Sequence, residues 1–207
     1  MRRAVLTVCV AAVLSVLPRS VEAAPIIGTQ LIASGGSITA YFLGHTAAYT
    51  NELYLFSADD LSTPLPVTLQ TGTLGAGLIF VNQTTAPLSS VDLGWFAPGT
   101  ELVFGIYVRD TQRTYYLGSG ARNPDGVAHG AVNSDPLPEF TAHGVTVPAG
   151  TILVGFEDLF GGGDLDYDDL VFSFSNVVSE PVVLLRQAPE PASLSLLALG
   201  LAAIGAR

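Results

Sequence analysis

An all-β fold, an antiparallel two-sheet β-sandwich of jelly-roll type, is the class this sequence predicts, on three observations. Short apolar runs recur along the chain between Gly, Pro, Asn and Asp, and 22 Gly and 13 Pro punctuate the 207 residues. No window between residues 25 and 185 keeps apolar residues at helical spacing. Residues 37–43 alternate strictly, with Ile38, Ala40 and Phe42 on one side and Thr39, Tyr41 and Leu43 on the other. A closed barrel is the alternative arrangement, and the lack of a sustained repeat argues against a solenoid or propeller.

The elements follow in order. After 37–43 come β-type runs at 53–56, 67–69, 74–81 and 89–95. Residues 101–109 form a long strand candidate, and Asp110-Thr111-Gln112 turns it back into 113–117 as a hairpin. Runs at 127–132, 151–156 and 170–177 complete about ten strands. Residues 178–188, with Pro181 and no alternation, read as a linker; Val182 to Leu185 could instead add an edge strand.

The two ends lie outside this domain. Met1-Arg2-Arg3 followed by the apolar run Ala4 to Leu17 has the form of a signal peptide. Small residues at Val21 and Ala23 place cleavage between Ala23 and Ala24, since one residue later Pro25 would follow the cut. The paired arginines hint at twin-arginine export, but the general secretory route suits the residues after them better. Export implies handling by signal peptidase. At the far end, Pro189-Glu190-Pro191 introduces an uncharged run from Ala192 to Ala206, closed by Arg207. As a helix that run reaches only about 22 Å, short of a hydrocarbon core of ~30 Å. The expected division is therefore 1–23 signal peptide, 24–177 β-sandwich domain, 178–188 linker and 189–207 tail.

Charge narrows the partners. The net charge is −10, every basic residue is Arg, and the mature domain has only Arg109, Arg113, Arg122 and Arg186. Such a surface repels nucleic acid and anionic lipid. The one cysteine, Cys9, departs with the signal peptide, so no disulfide staples the domain.

Six of the 18 acids fall between Glu157 and Asp169, with no Lys or Arg from Gly155 to Pro181. Carboxylates crowded into one loop repel unless a positive charge lies between them, and no local side chain supplies it. A hard cation with oxygen ligands, Ca²⁺, meets the need. Asp164, Asp166 and Asp168 are the expected ligands, with Asp169 or Glu157 adding a further carboxylate. In an extended chain Asp164 and Asp168 would stand ~13 Å apart, whereas ligands of one Ca²⁺ lie within about 5 Å of each other. The loop must therefore curl, and Gly161-Gly162-Gly163 gives it the freedom to do so. The alternative is a solvated acidic turn whose aspartates cap backbone groups. An EF-hand starting at Asp164 is excluded, because Asp169 and Ser175 occupy its glycine and glutamate positions.

Two resemblances rest on these residues. Phe156-Glu157-Asp158, Gly161-Gly162-Gly163 and residues 164–172 resemble the signature of a family of exported bacterial domains of unknown function. Asn123-Pro124-Asp125-Gly126 followed by His129 is similar to that family's upstream turn, and the resemblance covers residues 35–176. Pro189, Glu190, Pro191 and Arg207 resemble the PEP-CTERM sorting signal of Gram-negative bacteria; the single Arg departs from that family's usual basic cluster. The first resemblance implies a β-sandwich, calcium binding, a cell-surface or extracellular-matrix setting and no known reaction. Asn123 and Asp125 are further candidate ligands, approaching the acidic loop from the neighbouring turn. The second resemblance implies transient inner-membrane anchoring through the tail helix and removal by an exosortase-type protease.

Other chemistries fare less well. Acids clustered in one loop cannot flank a glycosidic bond as a polysaccharide hydrolase requires. No Gly-x-Ser-x-Gly elbow occurs, and His45, His129 and His143 lack metal spacing. Trp95, Phe96, Tyr115 and Tyr116 could form a sugar-stacking platform, though such aromatics are also core formers. The sequence thus predicts a non-enzymatic, exported, calcium-binding sandwich with a structural or adhesive role in the extracellular polysaccharide or biofilm matrix. A carbohydrate-binding module using exposed aromatics is the alternative, and a polysaccharide hydrolase a distant third.

Overall fold

The computed structural model describes residues 25–66 and 77–180. The signal peptide with Ala23 and Ala24, the run at 67–69, the segment Val182 to Leu185, and the tail with Pro189, Glu190, Pro191 and Arg207 lie outside the described residues. The rest is the predicted all-β fold: two antiparallel sheets face to face, with a short 3₁₀ turn at Gly120–Arg122.

In chain order the strands are β1 (Ile26–Ile27), β2 (Gln30–Ala33), β3 (Gly36–Gly44), β4 (Asn51–Ser57), β5 (Asp60–Pro64), β6 (Leu78–Val81), β7 (Ser90–Phe96) and β8 (Glu101–Val108). Then follow β9 (Arg113–Tyr116), β10 (Gly130–Val132), β11 (Phe140–Ala142), β12 (Val145–Val147), β13 (Ile152–Phe156), β14 (Leu170–Phe174) and β15 (Val177–Glu180). One sheet runs β1-β10-β13-β14-β3-β7. The other runs β15-β2-β8-β4-β5, with β9 continuing beside β8 and β6 beside β4. β11 and β12 form a separate hairpin.

Alternation places the core as expected. Ile38, Ala40 and Phe42 of β3 are buried, as are Val154 and Phe156 of β13. They meet Leu53, Leu55, Phe104 and Ile106 of the opposing sheet. Phe104 and Phe174 stack across the interface with ring centroids 4.1 Å apart.

Two boundaries differ from the sequence reading. The run 170–177 is two strands, because Asn176 takes a left-handed turn (φ 54) that carries the chain from β14 to β15 in the other sheet. Its side chain secures the corner by donating to Ser37 O at 2.6 Å. The domain consequently extends past residue 177: Val178, Ser179 and Glu180 pair with Ile32, Leu31 and Gln30, where a linker was expected. β1, β2, β5, β11 and β12 are also present, too short or too polar for pattern reading to find.

Candidate metal centre

The acidic loop, residues 157–169, joins two strands whose register closes at Phe156↔Leu170. Its curl has an identifiable backbone cause. Leu165 (φ 62) and Tyr167 (φ 57) are left-handed, alternating with Asp164, Asp166 and Asp168. Such non-glycine conformations cost roughly 1–3 kcal/mol each and persist only where the surroundings enforce them. Tyr167 is enforced from both ends: its N–H donates to Glu157 Oε1 at 2.6 Å, and its hydroxyl donates to Ala128 O at 3.2 Å. Gly155 on β13 lets the loop fold onto the strand, because a side chain there would strike the Tyr167 carbonyl.

The curl brings carboxylate oxygens of Glu157, Asp164 and Asp166 within 4.8 Å of one another. Oxygens that close can share one ion, whose bonds to oxygen are about 2.4 Å. Glu157 is completely buried, and its Oε2 makes no hydrogen bond among the described residues. An orphaned buried carboxylate oxygen is expensive, and a cation relieves it. Gly163 (φ 54) leaves the space beside that oxygen open, since a Cβ there would lie 2.5 Å from Oε2. These residues fit a hard divalent ion, with Glu157, Asp164 and Asp166 as the side-chain ligands.

Electrostatics agree. Burial, followed by the charges of Asp169, Asp166 and Asp164, pushes the Glu157 carboxyl up to about 7 against the pull of the Tyr167 N–H. Burial and then the neighbouring Asp158 push Asp169 up to about 6. Asp166 is also raised, by burial first and then by Asp168 and Asp164. No guanidinium relieves this crowding: among the described residues the ion pairs are Arg109–Glu52, Arg122–Glu101 and His129–Asp125. Arg113, near the loop, instead lies over the ring of Phe160 at 4.4 Å.

The remaining expected ligands have other partners. Asp168 turns aside and accepts from Thr46 Oγ1 at 2.6 Å. Asp169 accepts from the Asp158 N–H at 3.0 Å, and the buried Asp158 accepts in turn from Asn51 Nδ2 at 2.7 Å. Asn123 does not approach the cluster as a ligand; its Oδ1 accepts from Tyr116 N at 2.7 Å, and its Nδ2 donates to Val127 O at 2.8 Å and to Tyr116 O at 3.2 Å. The amide is saturated and closes the turn. Asp125 reaches the loop as a brace, accepting from Gly161 N at 2.8 Å, His129 Nε2 at 2.8 Å and Val127 N at 3.1 Å. Although burial opposes it, these donors hold its carboxyl down at about 2. His129, fully buried, stacks on Tyr115 with centroids 3.8 Å apart. Asp158, to which the sequence reading gave no role, belongs to the quoted signature and acts as a brace, tying Asp169 to Asn51 of β4.

The aromatic platform does not assemble. Tyr115 is fully buried, Tyr116 lies on the opposite sheet from Trp95 with its hydroxyl on Leu61 O, and Phe96 packs against the core. Only Trp95 stands in solvent.

With this geometry in hand, comparison with known families places two segments. Residues 96–176 match the family described as a domain of unknown function, DUF4114. Residues 187–207 match the PEP-CTERM protein-sorting motif. The protein is therefore an exported β-sandwich with a tail of the kind that the exosortase sorting machinery recognises. The first match begins at Phe96, well inside the span of 35–176 that the resemblance suggested, and it contains the whole acidic loop. No curated protein matches the chain. Among the described residues no helix is long and apolar enough to cross a membrane.

Proposed function

We propose that the loop holds one Ca²⁺ through Glu157, Asp164 and Asp166, and that the loaded domain is a non-enzymatic structural or adhesive component at the cell surface or in the extracellular matrix. The observation that carries this reading is the fully buried Glu157 carboxylate, whose Oε2 has no hydrogen-bond partner among the described residues, with carboxylate oxygens of Asp164 and Asp166 close by. Extracellular calcium sites are typically weak, with Kd of about 10⁻⁴–10⁻³ M. An exported protein with such a site is loaded outside the cell and rigidified there, which suits a scaffold. Transient retention in the inner membrane through the tail, before proteolytic release, belongs to the same reading and rests on the sorting motif.

Calorimetric titration of the chain with Ca²⁺, paired with thermal melts in excess chelator, tests it. The expected result is saturable binding and a melting temperature that rises with calcium. At a hundredfold excess over Kd, linkage adds ~2.7 kcal/mol of stability. No heat and identical melts in calcium and chelator would leave a solvated acidic turn and overturn the metal reading.

A further inference from the structure

A second site lies on the outer face of the first sheet, at the opposite end of the sandwich from the acidic loop. Ser37, Thr39 and Tyr41, the outward set of β3, floor a groove of about 470 Å³. Ser175 and Asn176 at the β14–β15 corner, with the turn at 148–150, line it as well. That volume falls in the usual range for small-molecule sites.

Beside this floor stands Trp95, 69% exposed on the edge strand β7. Its placement is built into the sheet. Ser37 pairs with Trp95 and Thr39 with Asp92, so two residues of β3 face a stretch one residue longer on β7. Strict alternation would send Trp95 and Asp92 to opposite faces. A bulge at Leu93-Gly94, with Gly94 at φ 90, turns both outward while Leu93 stays buried. The same irregularity blunts β7 as a template for a peptide strand.

The chemistry of the groove selects its ligand. Hydroxyls and an amide dominate, and no Arg lines it. The Asp92 carboxylate, bonded to the groove residue Ser37, accepts from Ser37 Oγ at 2.5 Å and from Gly94 N at 2.9 Å. These donors, Ser37 first, keep it below the ordinary carboxylate range and therefore charged. An anionic ligand meets repulsion there, with no base among the described lining residues to offset it. A neutral ligand rich in hydroxyls, with an apolar C–H face for the indole, satisfies both halves of the site.

We infer that the groove of Ser37, Thr39 and Tyr41, flanked by Trp95, binds a neutral saccharide chain. The site is separate from the acidic loop and does not depend on the metal reading.

Trp95 is the single tryptophan of the chain, so its intrinsic fluorescence reports on this groove alone. The full chain is titrated with cellohexaose, laminarihexaose and mannohexaose, with hexagalacturonate as the anionic comparison, in calcium and again in chelator. The expected result is a saturable emission shift with at least one neutral hexasaccharide, under both conditions, and a weaker response to hexagalacturonate. By calorimetry, Trp95→Ala lowers that affinity at least tenfold with an unchanged melting temperature, and Thr39→Val lowers it severalfold while leaving the indole in place. No shift with any neutral hexasaccharide, undiminished binding in Trp95→Ala, or tighter binding of hexagalacturonate overturns the inference. Loss of calcium binding with saccharide binding intact would refute the metal reading alone.

Discussion

The two ends of the sandwich solve opposite problems. At the loop end, Glu157, Asp164 and Asp166 converge on one point, held by two left-handed residues and a buried carboxylate with an unused oxygen. At the groove end, hydroxyls stand on paired strands and the nearby carboxylate already has its donors. The first arrangement is frustrated on its own, and the second is satisfied. A region that stores unfavourable charge is poised for a cation, whereas a relaxed polar surface can meet a ligand with little rearrangement.

Four variations would break or sharpen this contrast, in falling order of expected effect. Glu157→Gln should weaken Ca²⁺ binding at least a hundredfold by calorimetry. In chelator near pH 8 it should melt no lower than the parent, because an amide there costs less to bury than a carboxylate. Asp125→Ala should destabilise the fold by roughly 2–3 kcal/mol in urea melts, since it strips His129, Gly161 and Val127 of an acceptor. Its effect on saccharide binding should be nil.

The third variation is pH. The folded-state value of Glu157 is raised from 4.5 to about 7 and that of Asp169 from 3.8 to about 6. Between those limits the folded chain holds protons the unfolded chain has lost, so these groups cost stability as pH rises. In chelator, melting should therefore fall between pH 5 and pH 7.5, with Glu157 the larger contributor. Saturating calcium should cancel or reverse that fall, because the ion needs the ionised carboxylate. Asp125 has the opposite sign: its value, depressed to about 2, gives stability that is complete above 3.8 and lost as pH drops toward 2. A melting profile that rises from pH 5 to pH 7.5 in chelator would contradict the frustrated-loop description. The smallest effect belongs to Asp168→Asn, which should change calcium affinity less than threefold, because Asp168 is turned toward Thr46.

The loop was legible in the sequence because its residues are local: six acids and three glycines in one segment state their own electrostatics. Which acids converge was not legible, since this depends on the left-handed Leu165 and Tyr167, residue types that give no warning of it. Asn123 and Asp125 misled for a related reason. Their turn does adjoin the loop, but His129, Gly161 and the backbone of Tyr116 use their polar atoms. The groove was invisible, because Thr39 and Ser175 are 136 residues apart and meet only through the β3–β14 pairing. Tyr115 and Tyr116 are adjacent aromatics that alternation sends to opposite faces, and their identity does not say which one is buried.

β15 begins at Val177, on the lip of the groove, and runs four residues to Glu180 beside Gln30. Gln30 is two residues beyond Gly28, whose N–H donates to Gly130 O, and Gly130 pairs with Phe156 at the root of the loop. The last described strand therefore ends at the carboxylate pole of the sandwich, while the indole of Trp95 stands near the other. One four-residue strand thus spans the distance between the two poles, from the lip of the groove to the root of the acidic loop.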